Sequence, residues 1–328
     1  MKRLAALACL AVAACSSKAA EPTAATLVAT PVPLDASDPA VNRVGALTYV
    51  GGLQLSVPST SLFGGLSGLE TTGSGALSNL ELTAVSDAGD RFTFNVDASS
   101  GLRLAGDGQL RTGPLTEDGQ PVGGGKINAD AEDITQLDDG SLAVSFERRH
   151  RILRYTLDGR DAPMASPKVS LAENEGFEAI AELPLSGRKV LAVGVEDGRL
   201  FFCDVAPTGA CQLILKSTPG FGYKLTALDH LPGTADLIAT YRYWNPVQGS
   251  RAIIAWISTG VTGGKGPRVI PLARLAPPLT VDNMEGIAAV ALPGRGWRLF
   301  VLSDDNFSDK QRTLLLAFDW LPQQPPGA

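Results

Sequence analysis

The sequence predicts an all-β fold, a β-propeller of six blades, with five or seven blades as alternatives and a β-sandwich or two separate β domains behind them. Three observations carry this. Helical periodicity is scarce, and short runs of Leu, Val, Ile, Phe and Ala are punctuated by Gly, Asp and Pro. A hairpin-like unit recurs five times. Its equivalent positions are 64 (68 to 132), 46 (132 to 178), 48 (178 to 226) and 59 (226 to 285) residues apart. A blade takes about 40–50 residues, so the longer steps call for insertions or a further degenerate blade.

Taken in order, the chain opens on Met1-Lys2-Arg3, an apolar run from Leu4 to Ala14, and Cys15. A basic start, a short apolar stretch and small residues before a cysteine predict a lipoprotein signal peptide over 1–14 with lipid on Cys15. An ordinary secretory signal is the alternative. The run is shorter than the roughly 20 apolar residues of a membrane span. Residues 15–42, rich in Ala, Thr, Pro and Ser, read as a flexible tether. The folded domain is expected over 43–322, with a short tail at 323–328. Val44 to Val57 is strand-like and lies outside the repeats, and in a closed ring it would supply the outer strand of the last blade. The five units begin at Ser67, Ala131, Phe177, Leu225 and Met284. Each reads as strand, Gly-containing turn, apolar strand and polar corner.

Composition narrows the function. A formal net charge of −6 argues against a nucleic-acid partner and allows a cation site made of carboxylates. Cys203 and Cys211 flank the turn formers Pro207, Thr208 and Gly209, so two short strands would bring them together as a disulfide in an oxidising compartment. His150 and His230 are too few and too far apart for a His-based zinc site. No G-x-S-x-G elbow is present, and the Gly-rich stretch Gly260 to Gly266 misses the P-loop pattern and reads as a loop.

The acids recur at one place in each unit. Folding the hairpins about their turns sets Glu132 opposite Glu147, Glu178 opposite Glu196, and Glu285 opposite Asp304. Asp87 falls opposite Gly68, and Thr226 opposite Arg242. All five hairpins thus carry their polar residues at the open end. In a propeller those ends converge on one face, giving a ring of Asp87, Glu132, Glu147, Glu178, Glu196, Glu285 and Asp304, with Asp305 a further candidate. Such a ring raises its own pKa values unless cations neutralise it. Oxygen ligands at flexible spacing suit Ca²⁺. Arg148, Arg149 and Arg151 follow Glu147, and Arg242 stands among the acids. Their planar forks suit phosphate or carboxylate, and pairing with the ring acids is the alternative.

Several segments resemble the phytase-like family called "esterase-like activity of phytase". They are GGLSGLE with SDAGDRF, AEDITQLDDGSLAVSFERRHRILRY, EGFEAIAELP, and DNMEGIAAV with LFVLSDDNFSDKQRTLLLAFD, from about Phe63 to Trp320. The resemblance implies an exported β-propeller and suggests hydrolysis of phosphate or other esters. Two positions depart from the pattern: Asp133 stands where a glycine is usual after the glutamate, and Thr226 replaces an acid. The expected activity is Ca²⁺-dependent hydrolysis of an anionic ester by a monomer at the cell envelope, on the periplasmic side and by preference the outer membrane. Glu147, Glu196 and Asp304 would be ligands. Glu132, Glu178 and Glu285 would be further ligands or the base, and Arg148 or Arg242 would clamp the substrate. A non-catalytic binding propeller and a lactonase or carboxylesterase with one central Ca²⁺ are the rival readings.

Overall fold

The computed structural model describes residues 23–73, 76–122, 125–172, 175–260, 266–294 and 296–322. Its strands form five antiparallel blades. Each unit's first strand is innermost: Leu66–Thr72, Ala131–Gln136, Ala179–Leu185, Lys224–His230 and Asn283–Ala291. Neighbouring inner strands pack side by side, and the fifth returns to the first, closing the ring.

The second strands read as apolar runs because blades pack on both faces. In Trp297–Asp304, Leu299 and Val301 enter the core shared with blade 4, while Phe300 and Leu302 enter the core shared with blade 1. Alternate side chains of one strand serve opposite faces, so a strand covered on both must be apolar throughout. Five buried cores result, one at each junction between blades. Each fully buried Phe or Leu there contributes about 1.5–3 kcal/mol.

The blade number corrects the leading expectation of six. The long first step is taken up by the outer strands Asp90–Asp97 and Gln109–Pro114, a small ribbon (Thr116–Glu117 with Gln120–Pro121) and the single helical turn Lys126–Ala129. The long fourth step is taken up by long strands, Leu237–Asn245, Gly249–Ser258 and Arg268–Leu275. Length alone does not separate a longer blade from an additional one.

Leu47–Ser56 pairs with Leu314–Trp320 and closes the fifth blade, as the strand-like Val44 to Val57 segment suggested. The expectation of a tether over 15–42 does not hold from residue 23 onward. Thr23–Thr26 adds an edge strand to blade 1, and Val28–Val32 adds one to blade 5. Leu27, buried between them, sits at the seam where the ring closes. An open sheet edge offers backbone hydrogen bonds regardless of side chains, so a polar, Thr- and Ala-rich segment can still form strand. The signal peptide and Cys15 lie outside the described residues. Among the described residues no helix is long and apolar enough to cross a membrane. Cys203 and Cys211 face each other across Arg199–Asp204 and Cys211–Lys216 and are joined as a disulfide.

Candidate functional site

The inner strands begin, and the second strands end, at one mouth of the ring, where a cavity of about 210 Å³ opens. Local irregularity in the inner strands shapes its lining. In four blades the inner strand bulges where the sequence analysis placed the ring: between Leu66 and Leu69, Ala131 and Asp133, Leu225 and Ala227, and Met284 and Gly286. A bulge adds an unpaired residue, bends the strand and re-aims its side chain. Glu132, Thr226 and Glu285 are the extra residues. Close packing at the axis accounts for glycine at the matching places elsewhere. A Cβ on Gly68 would lie 2.6 Å from the Asp133 Cα, and one on Gly286 would lie 2.8 Å from the Ser67 carbonyl oxygen.

These bulges shift the register from the one the turns suggested. Asn283, not Glu285, lies opposite Asp304, and Lys224, not Thr226, lies opposite Arg242. Leu66 opposes Ser86, and Ala131 opposes Phe146, which leaves Glu132 unpaired beside Glu147. The convergence itself remains. Asp87, Glu132, Glu147, Glu178, Glu196, Glu285, Asp304 and Arg242 all line the cavity. Asp130, Lys126, Lys224 and Asn306, which the sequence analysis did not single out, complete it. Asp130 was legible as an acid two residues before Glu132, and Lys224 would have emerged from a register allowing for the bulge.

Partners divide the lining into compensated and uncompensated acids. Lys126 Nζ lies 3.1 Å from Asp87 and 3.6 Å from Asp130. Lys224 Nζ lies 2.6 Å from Glu196. Arg242 donates to Asn283 at 2.7 Å and lies 3.4 Å from Glu285. Arg148, with a left-handed φ of 57°, donates from Nε to Asp130 at 2.6 Å and lies 3.9 Å from Glu147. Asn283 bridges Glu285 (2.9 Å) and Asp304 (3.1 Å). Glu178 accepts the Gly176 N–H at 2.9 Å.

Burial and like charge push the acids upward. Loss of solvent, then the charges of Glu178 and Asp87, hold Glu132 well above the usual carboxylate range. Glu178 is raised in the same way by burial, Glu196 and Glu147. Burial and the adjoining Asp130 lift Glu147 to about 7. Burial, Glu285 and Asp87 lift Asp304, only 1% exposed, to about 9. Asp87 and Glu285 are raised by burial despite Lys126 and Arg242 beside them. Desolvation acts against the charge on Lys126, but Asp87 and Asp130 outweigh it and its pKa is raised.

Asp130, Glu132 and Glu147 each offer an oxygen, and the three lie within 4.8 Å of one another. Ca²⁺ binds carboxylate oxygens at about 2.3–2.6 Å, so oxygens on opposite sides of one ion stand roughly 5 Å apart. An all-oxygen set in which Glu132 and Glu147 resist ionisation without a counter-charge fits a hard divalent cation.

Other expected members sit differently. Asp305 lies outside the cavity lining and accepts the N–H groups of Gly65 (2.9 Å) and Phe307 (3.0 Å) and the Thr313 hydroxyl (2.8 Å), tying the fifth blade to the loop before the first. Thr226 donates to the Met284 carbonyl at 3.0 Å. Arg149 pairs with Glu117 at 3.1 Å, and Arg151 donates to the Asn128 carbonyl at 2.7 Å while lying 4.1 Å over the Phe146 ring. Those two arginines brace blade 2.

Deeper in the ring a second set of carboxylates is met by backbone donors. Asp133 accepts N–H groups from three blades, Ile134 (2.9 Å), Ile180 (2.8 Å) and Leu228 (3.3 Å). Glu70 accepts from Thr71 (2.7 Å) and Gln136 (2.8 Å), and Asp229 from His230 and Ala289 (both 2.6 Å). Asp133 is thus a cross-blade tie.

Comparisons with known proteins bear on this arrangement. No curated protein sequence matches the chain. Among solved structures, regucalcin, a calcium-binding protein of Agrobacterium tumefaciens, is 15% identical at a TM-score of 0.44, covering 94% of this chain and 97% of that one. A luciferin-regenerating enzyme is 12% identical at a TM-score of 0.43, over 91% of this chain and 98% of that one. Virginiamycin B lyase of Staphylococcus aureus is 12% identical at a TM-score of 0.41, over 84% of this chain and 81% of that one. The family model described as "Phytase-like: Esterase-like activity of phytase" matches residues 61–307, three quarters of the sequence and every acid of the ring. The chain belongs to this phytase-like family.

Proposed function

We propose that the acidic mouth is a Ca²⁺-dependent site for hydrolysis of an anionic ester, a phosphoric ester by preference. The observation that carries this reading is the composition of one cavity: eight carboxylates, three of them within 4.8 Å of one another, face Lys126, Lys224 and Arg242. Asp130, Glu132 and Glu147 would hold the cation, with Glu178 next to them. Bound there, Ca²⁺ would supply positive charge to a substrate oxygen as negative charge builds on it. The chain's own cations would bind and orient the anionic group. Arg242 is fixed by Asn283 and offers its remaining donors to the cavity, whereas Lys126 and Lys224 are half-exposed and can turn from carboxylate to substrate. A ring carboxylate outside the cation's shell would orient the attacking water.

The test is an assay of the full chain with and without Ca²⁺ on p-nitrophenyl phosphate, phytate and p-nitrophenyl acetate, beside a folded Glu132→Gln/Glu147→Gln variant. Ca²⁺-dependent phosphate release, lost in the variant, is the expected result. Turnover of the acetate alone would replace this reading with a carboxylesterase or lactonase. No turnover, with Ca²⁺ still raising Tm, would make the chain a binding propeller.

We propose a cell-envelope location, a reading supported by the signal-peptide-like run before Cys15. Incorporation of labelled palmitate, abolished by Cys15→Ser, is the expected outcome.

A further inference from the structure

The inner strand of blade 5 opens on Asn283-Met284-Glu285. Met284 is buried in the core shared with blade 4, and the bulge after it carries Glu285 to the cavity. Asn283 lies opposite Asp304 and is 4% exposed. It does not line the cavity, yet all three partners of its side chain do. Its Oδ1 accepts from Arg242 Nη1 at 2.7 Å, and its Nδ2 donates to Glu285 at 2.9 Å and to Asp304 at 3.1 Å.

These contacts require an amide. A guanidinium only donates and a carboxylate accepts, so the group between them must accept on one side and donate on the other. A hydroxyl has a single donor and cannot serve both acids. A carboxylate would have nothing to give Glu285 and Asp304, and a cationic side chain would offer Arg242 no acceptor. The same partners fix which way the amide faces.

Arg242 is held differently from the lysines of the mouth. Lys126 and Lys224 rest directly on carboxylates, 3.1 Å from Asp87 and 2.6 Å from Glu196. Arg242 also has a carboxylate within reach, since its Nε lies 3.4 Å from Glu285. That Nε is nevertheless buried without a hydrogen-bond partner. Arginine and carboxylate commonly close into a fork of two parallel N–H···O bonds. Here the fork is not formed. Nη1 is engaged by a neutral carbonyl, and among the described residues no acceptor meets Nη2. A neutral acceptor fixes the guanidinium without cancelling its charge.

We infer that Asn283 is a positioning residue for the anionic head of the substrate: by engaging Nη1 it keeps Arg242 from closing on Glu285 and leaves Nη2 for the ligand. The inference rests on the anionic-ester reading of the cavity and adds the residue that keeps its guanidinium open. The amide's other side holds Glu285 and Asp304 back from the same guanidinium.

The test titrates methylphosphonate, a non-hydrolysable anionic head, into the Ca²⁺-loaded full chain by calorimetry, with Ca²⁺ titrated separately into the same proteins. Asn283→Leu is similar in size but has neither donor nor acceptor. It is expected to weaken methylphosphonate about tenfold, the scale of a hydrogen bond to a charged group, and to leave Ca²⁺ affinity within about twofold. Because Asn283 acts through Arg242, that loss should vanish in an Arg242→Ala background, the double variant binding no more weakly than Arg242→Ala alone. If Asn283→Leu does not fold, Asn283→Ser, too short to bridge Arg242 and the acids, replaces it in the same cycle. Additive losses, or a Ca²⁺ affinity that falls as far as that for methylphosphonate, would overturn the positioning role and leave the reading of the cavity standing. Binding that Arg242→Ala does not weaken would do the same. Failure of the unaltered chain to bind methylphosphonate would overturn both together.

Discussion

Two sets of carboxylates occupy the inside of this ring, and they are matched by opposite means. At the mouth, Glu132, Glu147, Glu178 and Asp304 crowd one another, and the cations around them reach only some of the acids. Deeper in, Glu70, Asp133 and Asp229 are all buried, and each accepts N–H groups from another blade. Burial raises the pKa in both sets. The donors differ. Backbone N–H groups are permanent and cannot be exchanged, so the deep set is a fastening between blades. Lysine ammoniums and solvent protons can be exchanged for a metal ion, which is what the proposed site at the mouth requires. Acidity alone would have grouped the two sets together.

Breaking the deep set should cost the most. Asp133→Ala would leave buried N–H groups on three inner strands without an acceptor, at about 1–3 kcal/mol each before relaxation. A loss of about 3–5 kcal/mol is expected, read as a lower denaturant midpoint at unchanged slope. A loss below about 1 kcal/mol would remove the distinction between the two sets. At the mouth the same kind of change should have the opposite sign. Glu132→Gln/Glu178→Gln removes two carboxyls whose ionisation the folded chain opposes, so without Ca²⁺ at neutral pH the variant should be more stable by about 1–2 kcal/mol. It should also lose the rise in Tm that the proposed site predicts for the unaltered chain with Ca²⁺.

The pH dependence follows from the raised values. A carboxyl whose pKa is higher folded than unfolded binds more protons in the folded state between those two values, and stability falls as pH rises through that window. For Glu147 the window runs from 4.5 to about 7, and for Asp304 from 3.8 to about 9. Without added cation, Tm should therefore fall as pH is raised from about 5 to 9. Saturating Ca²⁺, by replacing the protons, should flatten the slope. A slope unchanged by Ca²⁺ would assign those protons to the deep set, where no ion is expected to reach.

Much of this was legible in the sequence because the hairpin repeat is strict where it matters. An acid just before the first apolar strand, or just after the second, comes to the mouth in four blades, and Arg242 takes that place in the remaining one, whether the ring has five members or six. The disulfide was legible for the same reason, since a short turn fixes its partners. Register was less so: an extra residue in the inner strand, at Glu132, Thr226 and Glu285, is not marked by any turn residue. That shift concealed Lys224 and Asn283. The edge strands at Thr23–Thr26 and Val28–Val32 were concealed too, since their partners are backbone groups at sheet edges that exist only once blades 1 and 5 have formed. Asp133 stood out as a departure from a pattern, but its three donors lie on segments up to 95 residues away.

The smallest expected effect divides the two sets most sharply. Lys126 lies 3.1 Å from Asp87 and 3.6 Å from Asp130, and its side chain is 55% exposed. An ion pair so open to water contributes about 0–1 kcal/mol, so Lys126→Met should leave Tm in the absence of Ca²⁺ almost unchanged. The same ammonium would compete with a metal ion at the proposed site for Asp130. Removing it should therefore tighten Ca²⁺ binding about two- to fivefold by calorimetry, at the scale expected of a surface charge pair. A fall in Tm comparable to that of Asp133→Ala would make Lys126 a fastening, and the mouth would then be built on the same terms as the channel beneath it.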